Sequence, residues 1–319
     1  MRRRLAGALV LLLALPLVTS GCGIAERANG TTPPPVQPTT VLPTAVAPPQ
    51  AEGLDGTTGA PGPQVCTAIA RPLATRLEHP VTARPMAWND GGLPSMDLCM
   101  LLVDGRPVTI GVSALPSRPD SLVRLMNGAG GVDSLPELGP EALIGESRLV
   151  FHAAGHAVRV TPAGGIDIGT PDGVNRATAV AIAEAARDAV PHVLRPVRQV
   201  DETCQLSNSA AERFVRVRVQ LRRDYRVKGA LTCIWGTPGA TVSIVEAFDQ
   251  KTIPEAEQVP PPQFAPLGDP GYYLPESAEL VFCQGRRVVR VAALTDPPQA
   301  VTLDTLTTLV DPMLPLFLR

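Results

Sequence analysis

Aromatic residues are scarce in this chain, 3% of 319 residues. Stacking platforms for single-stranded nucleic acid or sugar rings need more of them, so such surfaces are disfavoured. Lysine is nearly missing as well, occurring at Lys228 and Lys251 alone; the other basic side chains are arginines. The formal charge of −2 provides no field to attract a polyanion, and no nucleic-acid partner is expected. Local nucleophile signatures are absent. Gly145-Glu146-Ser147 lacks the closing glycine of a nucleophile elbow, since Arg148-Leu149 follow. Neither lysine follows a serine at Ser-x-x-Lys spacing. Gly128-Ala129-Gly130-Gly131 follows a helix-like segment and no strand, which makes it a poor phosphate loop. Carboxylates such as Asp296 and Asp304 cannot be brought together from sequence. No catalytic residue, metal or cofactor is therefore expected. Only groups distant in the chain would escape this reading.

What is present begins with an export signal. Arg2, Arg3 and Arg4 precede an apolar core over residues 5–17, and small residues lead to Val18-Thr19-Ser20-Gly21-Cys22. Residues 5–21 carry no charge but fall short of the roughly 20 apolar residues a spanning helix needs. The last residues of the run resemble a lipobox, with Thr19 in place of the usual leucine. Residues 1–21 are thus expected to be a lipoprotein signal peptide, and Cys22 the lipid acceptor. The anchor would be of the dual-acyl, palmitate-bearing kind, on the outer face of the cell membrane. Residues 22–63 are rich in Pro, Thr, Ala and Gly, with few charges and no apolar periodicity. They are expected to form a disordered tether, stiffened by proline toward polyproline II.

Beyond the tether the chain repeats itself. Leu149-Val150-Phe151-His152 through Val158-Arg159-Val160 matches Leu280-Val281-Phe282-Cys283 through Val289-Arg290-Val291 at one offset. Leu138-Gly139 and Glu146-Ser147 match Leu267-Gly268 and Glu276-Ser277 upstream. Each copy opens with a cysteine, Cys66 or Cys204, and carries a second about 30 residues later, Cys99 or Cys233. Both have valine nine residues further on, Val108 and Val242. We read two tandem domains, residues 64–198 and 199–319.

Within each copy, strands precede a closing helix. Residues 67–78 are helix-like, with Pro72 interrupting them. Val215, Val217, Val219 and Leu221 alternate with Arg216, Arg218, Gln220 and Arg222, the period of a half-buried strand. Residues 230–235 and 241–247 flank the turn-forming 236–240, and hairpins are expected over 151–160 and 282–291. Residues 175–194 and 303–317 read as closing helices, the second broken at Pro312 and Pro315. The fold class is α+β, each repeat an antiparallel sheet packed by its C-terminal helix.

In an exported chain, cysteines are first read as disulfides. With Cys22 taken by lipid, the repeat suggests Cys66–Cys99 and Cys204–Cys233. Cys283 is left over, opposite His152 of the first copy. A buried thiol is expected there, with pairing to Cys204 or Cys233 as the alternative. His152 and His156 are four apart, but Ala153-Ala154-Gly155 between them looks like a hairpin turn. With no acidic third ligand nearby, they are read as ordinary hairpin residues. His79 and His192 stand alone beside prolines. The unusual surface is basic: Arg216, Arg218 and Arg222 share a face on the strand reading, and with Arg226 they form a candidate stripe for an anionic partner.

The lipobox, the Pro/Thr tether, the early cysteine, Cys233-Ile234-Trp235 and the closing helix resemble small exported lipoprotein domains of actinobacteria, some of which have a PsbP-like sandwich. The likeness covers residues 65–319. It implies no catalytic residue, and the first copy departs from it, with Cys99-Met100-Leu101 and no tryptophan. The expected function is a lipid-anchored, non-catalytic binding or scaffold module. Its expected partners are an envelope polymer, a lipid or a membrane protein. An accessory or sensor subunit of a transmembrane partner and a hydrolase of envelope polymers are the alternatives.

Overall fold

A computed structural model describes residues 57–58, 65–193, 201–227, 229–248, 262–268 and 271–317. The expected signal, Cys22 and most of the expected tether lie outside these residues.

Alternating burial builds two antiparallel sheets. The first contains β2 (Val81–Asn89), β3 (Met96–Val103), β4 (Arg106–Ser113), β5 (Asp133–Ser134), β6 (Leu143–Ile144), β7 (Leu149–Ala153) and β8 (His156–Pro162), in the order β2-β3-β4-β8-β7-β6-β5. The second contains β9 (Leu221–Val227), β10 (Ala230–Thr237), β11 (Ala240–Phe248), β12 (Gln263–Phe264), β13 (Gly271–Leu274), β14 (Glu279–Gln284) and β15 (Arg287–Thr295), in the order β9-β10-β11-β15-β14-β13-β12. Counted from its own first strand, each sheet has the same order. The register agrees too: Leu149 faces Val160 and Phe151 faces Val158, as Leu280 faces Val291 and Phe282 faces Val289. Val108 pairs with Leu101 and Val242 with Trp235, each partner two residues past a disulfide cysteine. Thr57–Thr58, β1, pairs with Arg226 and Val227 at the open edge of β9. The tether expectation is corrected there: these two residues join the sheet of the second half.

Helices pack on both sheets, on one face of the second and on both faces of the first. In α1 (Val65–Leu77) the buried residues are Val65, Cys66, Ile69 and Leu73, one face at helical spacing. Pro72 was expected to interrupt this helix. It lies inside it instead, on the exposed side, where packing of the opposite face outweighs the local penalty. α3 (Arg176–Val193) is capped by the Asn175 side chain, which accepts from the Thr178 N–H at 2.8 Å. Its Ala179, Ala183 and Ala186 are fully buried, and the small side chains allow close packing on α1 and β7. Opposite, α2 (Asp120–Leu125) buries Leu122 and Leu125 with Met96, Leu98 and Val150 on the other face of the first sheet.

The second half opens with α4 (Glu202–Gln205) and α5 (Asn208–Val215). The strand expected from Val215 to Leu221 is corrected. Ala210 and Ala211 are buried, and Phe214 and Val215 pack partly against the core, so helical spacing decides the segment as far as Val215. Arg216 ends the helix in the left-handed region, and β9 starts only at Leu221. The half closes with α6 (Leu303–Val310), a 3-10 turn at Asp311–Met313 and α7 (Leu314–Phe317). Leu306, Leu309, Val310, Met313 and Phe317 line its buried face, and the Phe317 ring meets Phe282 edge-on at 6.2 Å.

Disulfides join the opening helix of each half to its sheet. Cys66–Cys99 ties α1 to β3 with Cα atoms 6.1 Å apart, and Cys204–Cys233 ties α4 to β10 at 5.5 Å. These bridges place the folded part in an oxidising compartment. Each closes a loop worth about 3.6 kcal/mol in the chain-entropy model. Replacing Cys204 and Cys233 together by serine should lower the stability of the second half by about that amount in urea titration. A loss below about 1 kcal/mol would contradict a structural role for the bridge.

Candidate functional site

The two halves meet through polar strand ends. β2 ends at Asn89 and is followed by a tight turn in which Gly91 takes φ +62° and lies against Ser243 of the second half. Asn89 organises this turn. Its side-chain oxygen accepts from Gly91 N–H at 2.8 Å and from Ser95 Oγ at 2.7 Å, and its Nδ2 donates to Asp97 Oδ1 at 2.8 Å. Across the boundary, Arg223 of β9 grips Asp97 in a two-pronged bridge, Nε to Oδ1 at 3.0 Å and Nη2 to Oδ2 at 2.7 Å. The Tyr225 hydroxyl accepts from Asn89 N–H at 3.1 Å. Burial pushes the Tyr225 phenol above its usual range, which keeps it neutral and hydrogen-bonding. Asn89, Asp97 and Tyr225 are all buried, so this network is desolvated and fixes how the halves meet.

Beside it lies a cleft of about 140 Å³. One wall comes from the first half, with Pro94, Ser95, Leu115, Ser117, Arg118 and Arg124; the other comes from Leu221, Pro238, Gly239 and Asp296. Arg124 Nη1 bridges to Asp296 Oδ2 across it at 2.7 Å and also holds Asp120 at 3.2 Å. Asp296 therefore faces an arginine, whereas Asp304 sits in the first turn of α6.

Next to this cleft the two hairpin histidines separate. His152 Nε2 lies 3.1 Å from Ser117 Oγ, and its Nδ1 lies 3.0 Å from Glu141 Oε2. His156 Nδ1 instead meets the Ser113 carbonyl at 2.6 Å. Ala154 and Gly155 between them both have positive φ, as a two-residue hairpin turn requires. Among the described residues, no cluster of three or more His, Cys, Asp or Glu is placed to hold a metal.

The arginine stripe does not form one strand face, which corrects that expectation. Arg216 caps α5 and Arg218 lies in the following loop, both exposed, while Arg222 and Arg226 stand on β9. Those two are engaged internally. Arg222 bridges to Asp224 at 2.7 Å and contacts Gln205; Arg226 holds Asp201 at 3.1 Å and Thr203 at 3.1 Å. Burial pushes the Asp224 carboxyl up, against the pull of Arg222. Burial also pushes Asp201 up, but hydrogen bonds from Thr203 and the Arg226 charge outweigh it and hold Asp201 below its usual range.

The thiol expected at Cys283 is corrected as well. The residue is buried with Leu274, Val281 and Val288 but is disulfide-bonded. The Cys204–Cys233 bridge excludes either of those cysteines as its partner. Among the described residues, no helix is long and apolar enough to cross a membrane.

Sequence reasoning missed Ser117, Glu141, Asn89, Asp97 and Arg124. None lies in a local motif, and each has at least one partner from another segment: Tyr225 for Asn89, Arg223 for Asp97, Asp296 for Arg124, and His152 for Ser117 and Glu141. Compared with family models, curated proteins and solved structures, the chain matches none.

Proposed function

We propose that this protein is a cell-envelope lipoprotein, lipid-anchored at Cys22, that binds its ligand or partner in the cleft between two copies of one domain. On this reading it resembles the small exported lipoproteins of actinobacteria. The common strand order, the common register and the disulfide from opening helix to sheet support duplication, each sheet being packed by its C-terminal helix.

One observation carries the functional reading: the cleft exists only where the halves meet, and both supply its walls. Concave sites at domain junctions are where ligands gather. The buried Asn89–Asp97–Arg223–Tyr225 network holds those walls in place. The arginines on β9 add little outward charge, because Arg222 and Arg226 already pair with Asp224 and Asp201. The cleft is thus favoured over the stripe as the binding surface.

In-cell photo-crosslinking tests the reading. A benzophenone side chain at Leu115, inside the cleft, should capture the ligand or partner, and Pro238→Trp, which fills the opposite wall, should abolish the adduct. The same side chain at exposed Asp172, which does not line the cleft, should capture nothing comparable. Equal adducts from both positions, or an adduct insensitive to Pro238→Trp, would contradict the cleft as the site.

A further inference from the structure

We propose that Ser117, His152 and Glu141 form an acyl-transfer site at the edge of the cleft, hydrolysing short-chain carboxylic esters. The inference rests on the cleft as a ligand site and goes beyond it by giving that site a reaction. It also departs from the non-catalytic module expected from sequence.

The geometry is that of an activated nucleophile. Ser117 Oγ lies 3.1 Å from His152 Nε2, and His152 Nδ1 lies 3.0 Å from Glu141 Oε2. A nucleophile, a base and a third group orienting the base, each within hydrogen-bond reach, are the signature of such a site. An ionised carboxylate only accepts hydrogen bonds, so the Glu141 contact puts the imidazole hydrogen on Nδ1 and leaves the Nε2 lone pair facing the serine hydroxyl.

The supports are firm. His152 stands on β7, paired with Ala157 of β8. Ser117 is held against the same hairpin, its backbone N–H donating to the Gly155 carbonyl at 3.0 Å. The base is mostly enclosed, with 20% of its side chain exposed, while Glu141 is 46% exposed at the outer rim. Ser117 and Arg118 both line the cleft. Arg124 is engaged with Asp296 and Asp120, which makes Arg118 the candidate for stabilising a developing oxyanion.

Size sets the substrate class. A volume of about 140 Å³ is well below that of a typical small-molecule pocket, so a short acyl group fits while the alcohol portion extends into solvent. The Ser117 oxygen attacks the ester carbonyl carbon as its proton passes to His152 Nε2. Collapse breaks the carbon–alkoxy bond, and the alcohol leaves with that proton. Water then attacks the acyl-serine, giving its proton to His152. The bond to Ser117 breaks, the serine recovers the proton, and the carboxylic acid departs. Ester plus water thus becomes acid plus alcohol. Cys283 holds the register position equivalent to His152, opposite Val288 as His152 is opposite Ala157, so among the described residues the site belongs to the first half and has no counterpart in the second.

The test uses detergent-extracted full chain. A fluorophosphonate probe should label one residue per chain, Ser117, as read by peptide mass spectrometry. Ser117→Ala should abolish the label. Hydrolysis of p-nitrophenyl acetate should fall at least about a hundredfold in Ser117→Ala and His152→Ala. In Glu141→Gln, which removes the group orienting the base, kcat should fall about tenfold or more with KM kept. Circular-dichroism melts matching the parent show that the variants fold. No labelling of the folded parent overturns the proposal, as does labelling elsewhere or hydrolysis that survives Ser117→Ala. Cleft-specific crosslinking from Leu115 without Ser117 labelling sinks the reaction and leaves the binding reading standing. Ser117 labelling without such crosslinking does the reverse.

Discussion

Replacing Cys22 with alanine is expected to move the protein from the membrane fraction to the medium. The argument starts from the order of Arg2-Arg3-Arg4, the apolar run and Gly21-Cys22, which resembles the place where a lipoprotein signal is cut and acylated. Each buried methylene contributes about 0.8 kcal/mol, so two acyl chains hold stably where a single chain would exchange. Among the described residues, no helix is long and apolar enough to cross a bilayer. Fractionation of cells expressing the parent and the variant reads the effect directly. A variant that stays bound at the parent's processed length would count against the anchor.

The second large effect is expected at the junction of the halves. Asp97→Ala removes the acceptor for both prongs of Arg223 and for Asn89 Nδ2, with the Asp97 and Arg223 side chains only 13% and 11% exposed. The Arg223 guanidinium keeps its bond to the Arg222 carbonyl but loses the buried carboxylate it faces, and that loss costs more than the net worth of the intact pair. Breaking one partner of such a bridge typically costs about 3–5 kcal/mol. Urea unfolding should show a loss in that range and a separation of the two halves into distinct transitions. Replacing both partners by apolar residues, Asp97→Leu with Arg223→Met, should recover most of the stability, because no charge is then left buried alone. A loss below about 1 kcal/mol for Asp97→Ala would show that the network does not bind the halves together.

Much of the fold was legible because its signals are local. Ala154-Gly155 and Pro238-Gly239 announce their hairpins, and alternation through Val289, Arg290 and Val291 follows the observed register. The alanines of α3 and the leucines of α6 carry helical spacing, and the equivalent cysteines pair as the repeat suggested. The reading failed between Val215 and Leu221 because alternation implies a strand only where one set of residues is buried. Val217 is 53% exposed, so its apolar character reported no core.

The candidate site was nearly illegible for a different reason. Asn89 and Asp97 look like surface residues until Arg223, 126 positions from Asp97, arrives across the junction. Ser117 lies 35 residues from His152, and Glu141 lies 11 from it. Neither spacing is a motif. Only the hairpin turn at Gly155, which also holds the Ser117 backbone, brings nucleophile and base together.

The central claim is that this two-domain protein works from a lipid anchor on Cys22, and the bond itself can be read. Mass spectrometry of the amino-terminal peptide from detergent-extracted protein should find a chain that begins at Cys22 and carries a diacylglycerol thioether on its sulfur. One sulfur cannot hold both a thioether and a disulfide. With Cys66–Cys99 and Cys204–Cys233 closed, an anchored Cys22 therefore requires that the disulfide at Cys283 be absent from the mature chain or made to a second chain. A Cys22 that is unmodified, still preceded by Gly21, or joined to Cys283 would contradict the account.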